Sequence, residues 1–507
     1  MNHRKRILSA TLFALTLAAA CDAGAVRVNA DGHGQALIYS YYTARSTVSG
    51  NAFVTAFSTI NTTDKAKALK VRFLEGKTGA PVFDFNLFLS AYDVWTAGIV
   101  AAGEGAGLFT QDNSCAVPSI SRDSAAPSKF QNVAYVGDTL GDSLDRTYEG
   151  YFEVLEMGTI DPASPLGVSI THVSNYSGNN LSKPPCTNLP STDALPTALS
   201  RPAGGLMGNA SYINVNEGTD FSADAVALSQ WSDKPQWSKA GTASPNLSDA
   251  SPFTSLVVDS RPTSDTIYVT RWSSGRDAVS ALFMVDHVRN DYSVEFSIKA
   301  ATDWIVTMPT KRFYVDKDRT DPPFSRSSDT LNRVPYNCET SKSTQGPLLP
   351  LYYDREAQSV GLPIDFAVGS LPFRLCGAAT AVALSPNSGS AATSHVFQSV
   401  NVSNLPLNAT WINGWLDMQT AVPSRDASGQ LIGTAKLVAP VGSTSVMDSS
   451  TGAVTTGVTA TYLGLPIVGF SGQSYSTMGL PGINPNILSN YGGTFVHKFT
   501  RHIEVSP

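Results

Sequence analysis

Six histidines follow His3 in the chain: His33, His172, His287, His395, His497 and His502. None falls in an H-x-H or H-E-x-x-H pattern, so the local signature that places two imidazoles on one zinc is missing. His497 and His502 read as members of one C-terminal strand, where an odd spacing turns them to opposite faces and away from a shared metal. A nucleophile elbow needs G-x-S-x-G on a strand-to-helix turn. The nearest strings are Gly137-Asp138-Thr139-Leu140-Gly141, with Thr in place of Ser, and Gly469-Phe470-Ser471-Gly472, which misses the spacing. Asp286-His287 has residue types found in a catalytic triad, but it ends the apolar run Leu282 to Val285 and reads as a strand terminus. Gly103-Glu104-Gly105-Ala106-Gly107 has the glycines of a phosphate loop without its lysine. No catalytic, cofactor-binding or metal-binding residue is assigned.

Oxygen-rich loops leave structural calcium as the one cofactor to weigh. Asp316-Lys317-Asp318-Arg319-Thr320-Asp321 and the series Asp138, Asp142, Asp145 bring carboxylates close together, as hard cations prefer. Neither fits the twelve-residue calcium loop, and solvated loop charge is the preferred reading. Among the aromatics, Trp231, Trp237 and Trp272 lie in loop-like sequence, as lids on the core in preference to a glycan-binding surface. Trp95 and Trp304 open strands and read as core.

The cysteines take their meaning from the first 25 residues. Arg4, Lys5 and Arg6 precede an apolar run from Ile7 to Ala20, and Ala23-Gly24-Ala25 follows. That is the layout of a secretory signal peptide, with a run too short to span a bilayer. Export across a bacterial inner membrane is therefore expected, with cleavage after Ala25. The competing reading is a lipoprotein box at Leu17-Ala18-Ala19-Ala20-Cys21, which would acylate Cys21. Cleavage after Ala25 leaves Cys115, Cys186, Cys338 and Cys376, an even number suited to an oxidising compartment. None lies in a C-x-x-C pair. Of three connectivities, Cys115–Cys186 with Cys338–Cys376 is favoured because each pair falls in one half of the chain.

The elements that hold these residues are β in pattern. Leu69, Val71 and Phe73 alternate with Lys70 and Arg72, and Phe83-Asp84-Phe85-Asn86-Leu87 repeats the alternation. With Ala36 to Tyr42, Asn51 to Asn61 and Asp93 to Thr96, these make five short strands separated by turn residues. They predict an all-β fold of antiparallel, immunoglobulin-like sandwich type with long loops and few or no long helices. Further strands are expected at Asp277–Val285, Asp303–Asp316, His395–Val402 and Thr494–Val505, among others. The expected organisation is a signal peptide over 1–25, a sandwich domain with loop insertions over 26–318, a polar, Pro-containing linker over 319–348, and a second β-rich region over 349–507.

Charge narrows the partners. The chain carries 35 basic and 41 acidic residues, a net charge of −6. The leader holds three of the cations and one anion, which leaves 32 basic and 40 acidic residues and a net charge of −8. That balance disfavours nucleic acid or an anionic membrane as partner. No second apolar run is long enough for a transmembrane segment.

Several phrases carry a family resemblance: Gly34-Gln35-Ala36-Leu37-Ile38-Tyr39, Lys70-Val71-Arg72-Phe73-Leu74-Glu75-Gly76, Asp84-Phe85-Asn86-Leu87, Thr302-Asp303-Trp304 and Tyr353-Asp354-Arg355-Glu356. They resemble an uncharacterised family of secreted, β-rich proteobacterial proteins. The resemblance implies a leader ending near Ala25 and a β-rich secreted product, and it transfers no activity. The functional expectation is an exported Gram-negative cell-surface or extracellular protein with a binding or structural role, not an enzyme, its partner a glycan or another surface protein. The alternatives are an extracellular glycoside hydrolase or lyase on a β-scaffold, which leaves no local signature, and a subunit of a surface filament or matrix.

Overall fold

The computed structural model describes residues 24–46, 52–138, 140–172, 183–262, 264–315, 320–324, 338–340, 348–361, 373–385, 393–408, 410–429, 431–432, 434–476 and 490–507. The leader to Ala23, Asp316 to Arg319 and most of the 319–348 segment lie outside them. Strand accounts for 50% and helix for 8% of the described residues, so the all-β class holds. The sheets are antiparallel, the Ala379–Ser385 pairing with Val402–Pro406 being parallel.

Two sheets in the first half face each other across one apolar core. The first runs Arg27–Val28, Val226–Ser229, Ala36–Thr43, Glu149–Ile160, Ala66–Glu75, Pro81–Leu89, Cys115–Val117. The second runs Thr219–Asp224, Leu206–Asn214, Val54–Asn61, Val94–Ala102, Gly105–Phe109, Ser128–Lys129. Aromatic rings fill the space between them: Phe152 stacks on Tyr39 at 4.1 Å and on Phe73 at 4.9 Å, and Phe57 meets Trp95 edge-on at 5.5 Å. Trp95 and Trp304 are fully buried, as expected of core residues.

Alternation in the Ala66–Glu75 strand marks two buried faces, not one buried and one wet. Leu69, Val71 and Phe73 enter the aromatic core, while Lys70 and Arg72 are covered by the 238–247 segment. Burial of these cations is met by carboxylates and carbonyls. Lys70 Nζ lies 3.2 Å from Asp84 and donates to Lys239 O at 2.6 Å, and Arg72 donates to Glu153 at 3.2 Å. Lys67 and Glu156, neither with any exposed side-chain surface, meet at 2.8 Å. Burial pushes the Glu153 and Glu156 carboxyls up and the Lys70 ammonium down.

Three more sheets each pair strands from both sides of the 319–348 segment. Thr254–Ser260 and Asp265–Arg271 join Thr444–Asp448 and Val454–Leu463; His287–Ser293 joins Leu349–Asp354, Asn413–Gln419 and Lys498–Thr500; Ala301–Thr307 joins Ala379–Ser385, Val468–Ser476 and Asn490–Val496. Ile305, Ala381 and Phe470 from these sheets, and Phe397 from the turn that precedes Val402–Pro406, also enter the core of the first half. The chain on either side of the expected linker is thus woven into common sheets.

Three expected strands take other forms. Asp277–Val285 is mostly the helix Gly275–Phe283, started by Ser274, whose hydroxyl accepts from Asp277 N at 3.3 Å. Its apolar run Ala278, Val279, Ala281, Leu282 and Phe283 buries a helical face. His395–Val402 is a turn up to the start of the Val402–Pro406 strand, wrapped on the Asp303 carboxylate, which accepts from the backbone N–H groups of His395, Val396 and Phe397 at 3.1, 2.7 and 2.9 Å. Thr494–Val505 is divided among Asn490–Val496, Lys498–Thr500 and Ile503–Ser506, which belong to three different sheets.

Cys115 and Cys186 form a disulfide with Cα atoms 5.4 Å apart, as expected. Cys376 is also disulfide-bonded, and the backbone register sets Cys338 directly opposite it. At the start of the described chain, Ala25 and Val26 are 1% and 0% exposed. Val26 N donates to Thr254 O at 2.8 Å and its carbonyl accepts from Leu256 N at 2.9 Å, docking Arg27–Val28 beside the Thr254–Ser260 edge.

Candidate functional site

The division of the C-terminal run leaves a gap. As residues 496–503 step from one sheet to the next, they form one wall of a cleft of about 940 Å³, with Arg27–Val28 and Thr254–Ser260 opposite. A second chamber of about 230 Å³ adjoins it, sharing Val28, Leu282, Val496, His497, Phe499 and Arg501. The rest of that chamber is aliphatic or aromatic, drawn from Val226, Phe283, Val285, Val288, Ile467 and Val468. Gly469 lets its strand approach Ala301–Thr307, because a Cβ there would fall 1.9 Å from Ile305 O.

Arg501 stands where the two spaces meet. Its Nη1 donates to Met284 O at 2.7 Å and its Nη2 to Leu282 O at 2.8 Å, so the guanidinium caps the C-terminal end of the Gly275–Phe283 helix. Its Nε is sealed from water and has no hydrogen-bond partner among the described residues. Burial pulls its pKa down to about 10, against the attraction of Asp259 and Asp286, so it stays cationic at neutral pH. Those two aspartates line the cleft but are engaged elsewhere: Asp259 pairs with Arg261 at 2.9 Å, and Asp286 accepts from the Thr500 hydroxyl at 2.7 Å.

His497 lines both spaces and is neutral. Its Nε2 lies 3.1 Å from Ile305 O, its ring packs 4.8 Å from Trp304, and burial lowers its pKa to about 4. His502 borders the same cleft. The expectation that the two histidines lie on opposite faces of a single strand is corrected: the chain leaves strand geometry at 497 and again at 501–502. His287 Nδ1 donates to Asp417 Oδ1 at 2.8 Å, with Arg289 Nε 3.1 Å from the other oxygen. The nearby Thr500 hydroxyl is given to Asp286, so these groups do not form a nucleophile–base–acid relay.

Other sequence candidates fall apart in space. Asp138 pairs with Arg146 and Asp145 with Arg45, each at 2.6 Å, so these two acids serve different arginines. Among the described residues no group of three or more His, Cys, Asp or Glu side chains could hold a metal; Asp316 and Asp318 lie outside them. Ser471 is fully buried. Trp231 and Trp272 are lids on the core, at 0% and 5% exposure, and Trp237 is half-buried. An aromatic pair outside these candidates does reach the surface. Trp415, 39% exposed, stacks on Tyr353 at 4.2 Å across neighbouring strands, beside Arg289 and Asp417.

No protein-family model and no curated protein matches this chain. No helix among the described residues is long and apolar enough to cross a membrane.

Proposed function

We propose that this chain is exported and works at or beyond the cell surface as a binding protein, not an enzyme, with the Arg501 cleft as its ligand site. The leader pattern supports export, and so does the Cys115–Cys186 disulfide, since such bonds persist in oxidising compartments. The observation that carries the binding role is the pairing of an open cleft with an apolar chamber, because ligand sites are concave, mostly apolar and furnished with a few convergent polar groups.

The test uses a neutral apolar dye, N-phenyl-1-naphthylamine, on purified protein. Saturable fluorescence enhancement at one site is expected, lost in Val28→Trp, which fills the shared wall from a position already 41% exposed. Absence of binding, or binding indifferent to Val28→Trp, would overturn the reading. A second reading, glycan binding, is favoured by the stacked Tyr353–Trp415 pair alone, with Trp415 exposed.

A further inference from the structure

The geometry points to a ligand class: we infer that the cleft takes a free single-chain amphiphile, its tail in the apolar chamber and its anionic head at the Arg501 end. This rests on the reading of the cleft as a ligand site. The chamber is larger than the roughly 150 Å³ cavity that admits benzene, so a short aliphatic chain fits without rearrangement. Exposed Phe499, Val496 and Val28 at its rim continue the apolar surface outward.

The head is fixed by charge. The cleft is lined by four cations, Arg27, Arg261, Lys498 and Arg501, against two aspartates, an excess of positive charge on a chain whose net charge is −6. Asp259 is taken by Arg261. Arg501 hydrogen-bonds only to backbone carbonyls among the described residues, so its charge is met by partial dipoles and not by a bonded carboxylate. A cation withdrawn from water in this way binds an anion more tightly than an exposed one does, because most of its desolvation has already occurred. A carboxylate and a phosphate monoester share that chemistry, and a neutral head of the same chain length lacks it.

Displacement of the bound neutral dye by octanoate, octyl phosphate and 1-octanol separates these possibilities. Both anions are expected to compete at least roughly tenfold better than octanol, the fold-change of a charge-assisted hydrogen bond. Arg501→Gln should erase that preference, so that the anions compete no better than octanol measured on the same variant. Lys498→Glu, at an exposed position, should weaken both anions several-fold relative to octanol measured on the same variant. Comparing octanoate with octyl phosphate assigns the head. Octanol matching the anions on dye-loaded wild type would overturn the anionic head and leave the cleft as a ligand site. An anion preference untouched by both substitutions would overturn it too. Failure of the dye itself to bind would remove the underlying reading.

Discussion

Glu156→Gln removes one charge from a pair with no solvent access. Lys67 Nζ sits 2.8 Å from Glu156 Oε1, and the same carboxylate accepts from Ala203 N at 2.9 Å and Gly204 N at 2.8 Å. The substitution therefore strands an ammonium in the interior and turns an amide NH₂ towards one of the two backbone N–H donors. Breaking a buried pair from one side costs about 3–5 kcal/mol, a large share of the roughly 5–15 kcal/mol that keeps an ordinary domain folded. Lys67→Met added to Glu156→Gln takes the stranded charge away, leaving one unpaired N–H at a cost of about 1–3 kcal/mol. The second substitution should thus rescue the first. Urea unfolding of the wild type, both single variants and the double variant, with the disulfides intact, measures this as a positive coupling. A Glu156→Gln cost below about 1 kcal/mol, or a double variant equal to the sum of the singles, would refute the argument that this layer is held by compensated charge.

Acid should weaken the fold through His497. Its native pKa of about 4 lies below the usual 6.5, so from pH 6.5 down to about 4 the unfolded chain takes up a proton that the native chain refuses. Stability then falls with falling pH across that window, by roughly 3 kcal/mol, and levels off below it. The buried carboxyls with raised pKa, Glu153 and Glu156, act in the opposite sense and cancel when wild type is compared with His497→Asn. A difference between the two stability curves that stays flat from pH 7 to 4 would contradict the assignment. For the aromatic pair, glycan-array signals of the wild type should vanish in Trp415→Ala if that face binds sugar; signals that survive would rule the face out.

Alternation was enough to expose the class of fold, because period-2 patterns such as Phe83-Asp84-Phe85-Asn86-Leu87 occur only where one side of a strand meets a core. It could not show that Lys70 and Arg72 are buried, since a polar residue on a strand looks the same under a second layer as under water. The helix at Gly275–Phe283 was legible in the Ser274 and Asp277 cap, but its short apolar run fits a strand equally well. The cleft had no sequence trace at all. Arg27, Arg261 and Arg501 are brought together by long-range pairing and share no motif. Nothing in residues 494–505 announces the bends at His497 and Arg501, which arise because that run must serve three sheets in turn.

If the chain is exported and cut after Ala25, as proposed, the burial of Ala25 and Val26 sets an order of events. Once Arg27–Val28 is docked against Thr254–Ser260, the bond following Ala25 is out of reach of any protease. A peptidase that acts there must therefore arrive before residues 254–260 have folded, more than two hundred residues further along the chain. On the proposal of export, cleavage at this bond would have to outrun folding of that edge. A chain cut there would carry its new terminus pinned at Val26 between Thr254 and Leu256, with little for an aminopeptidase to grip.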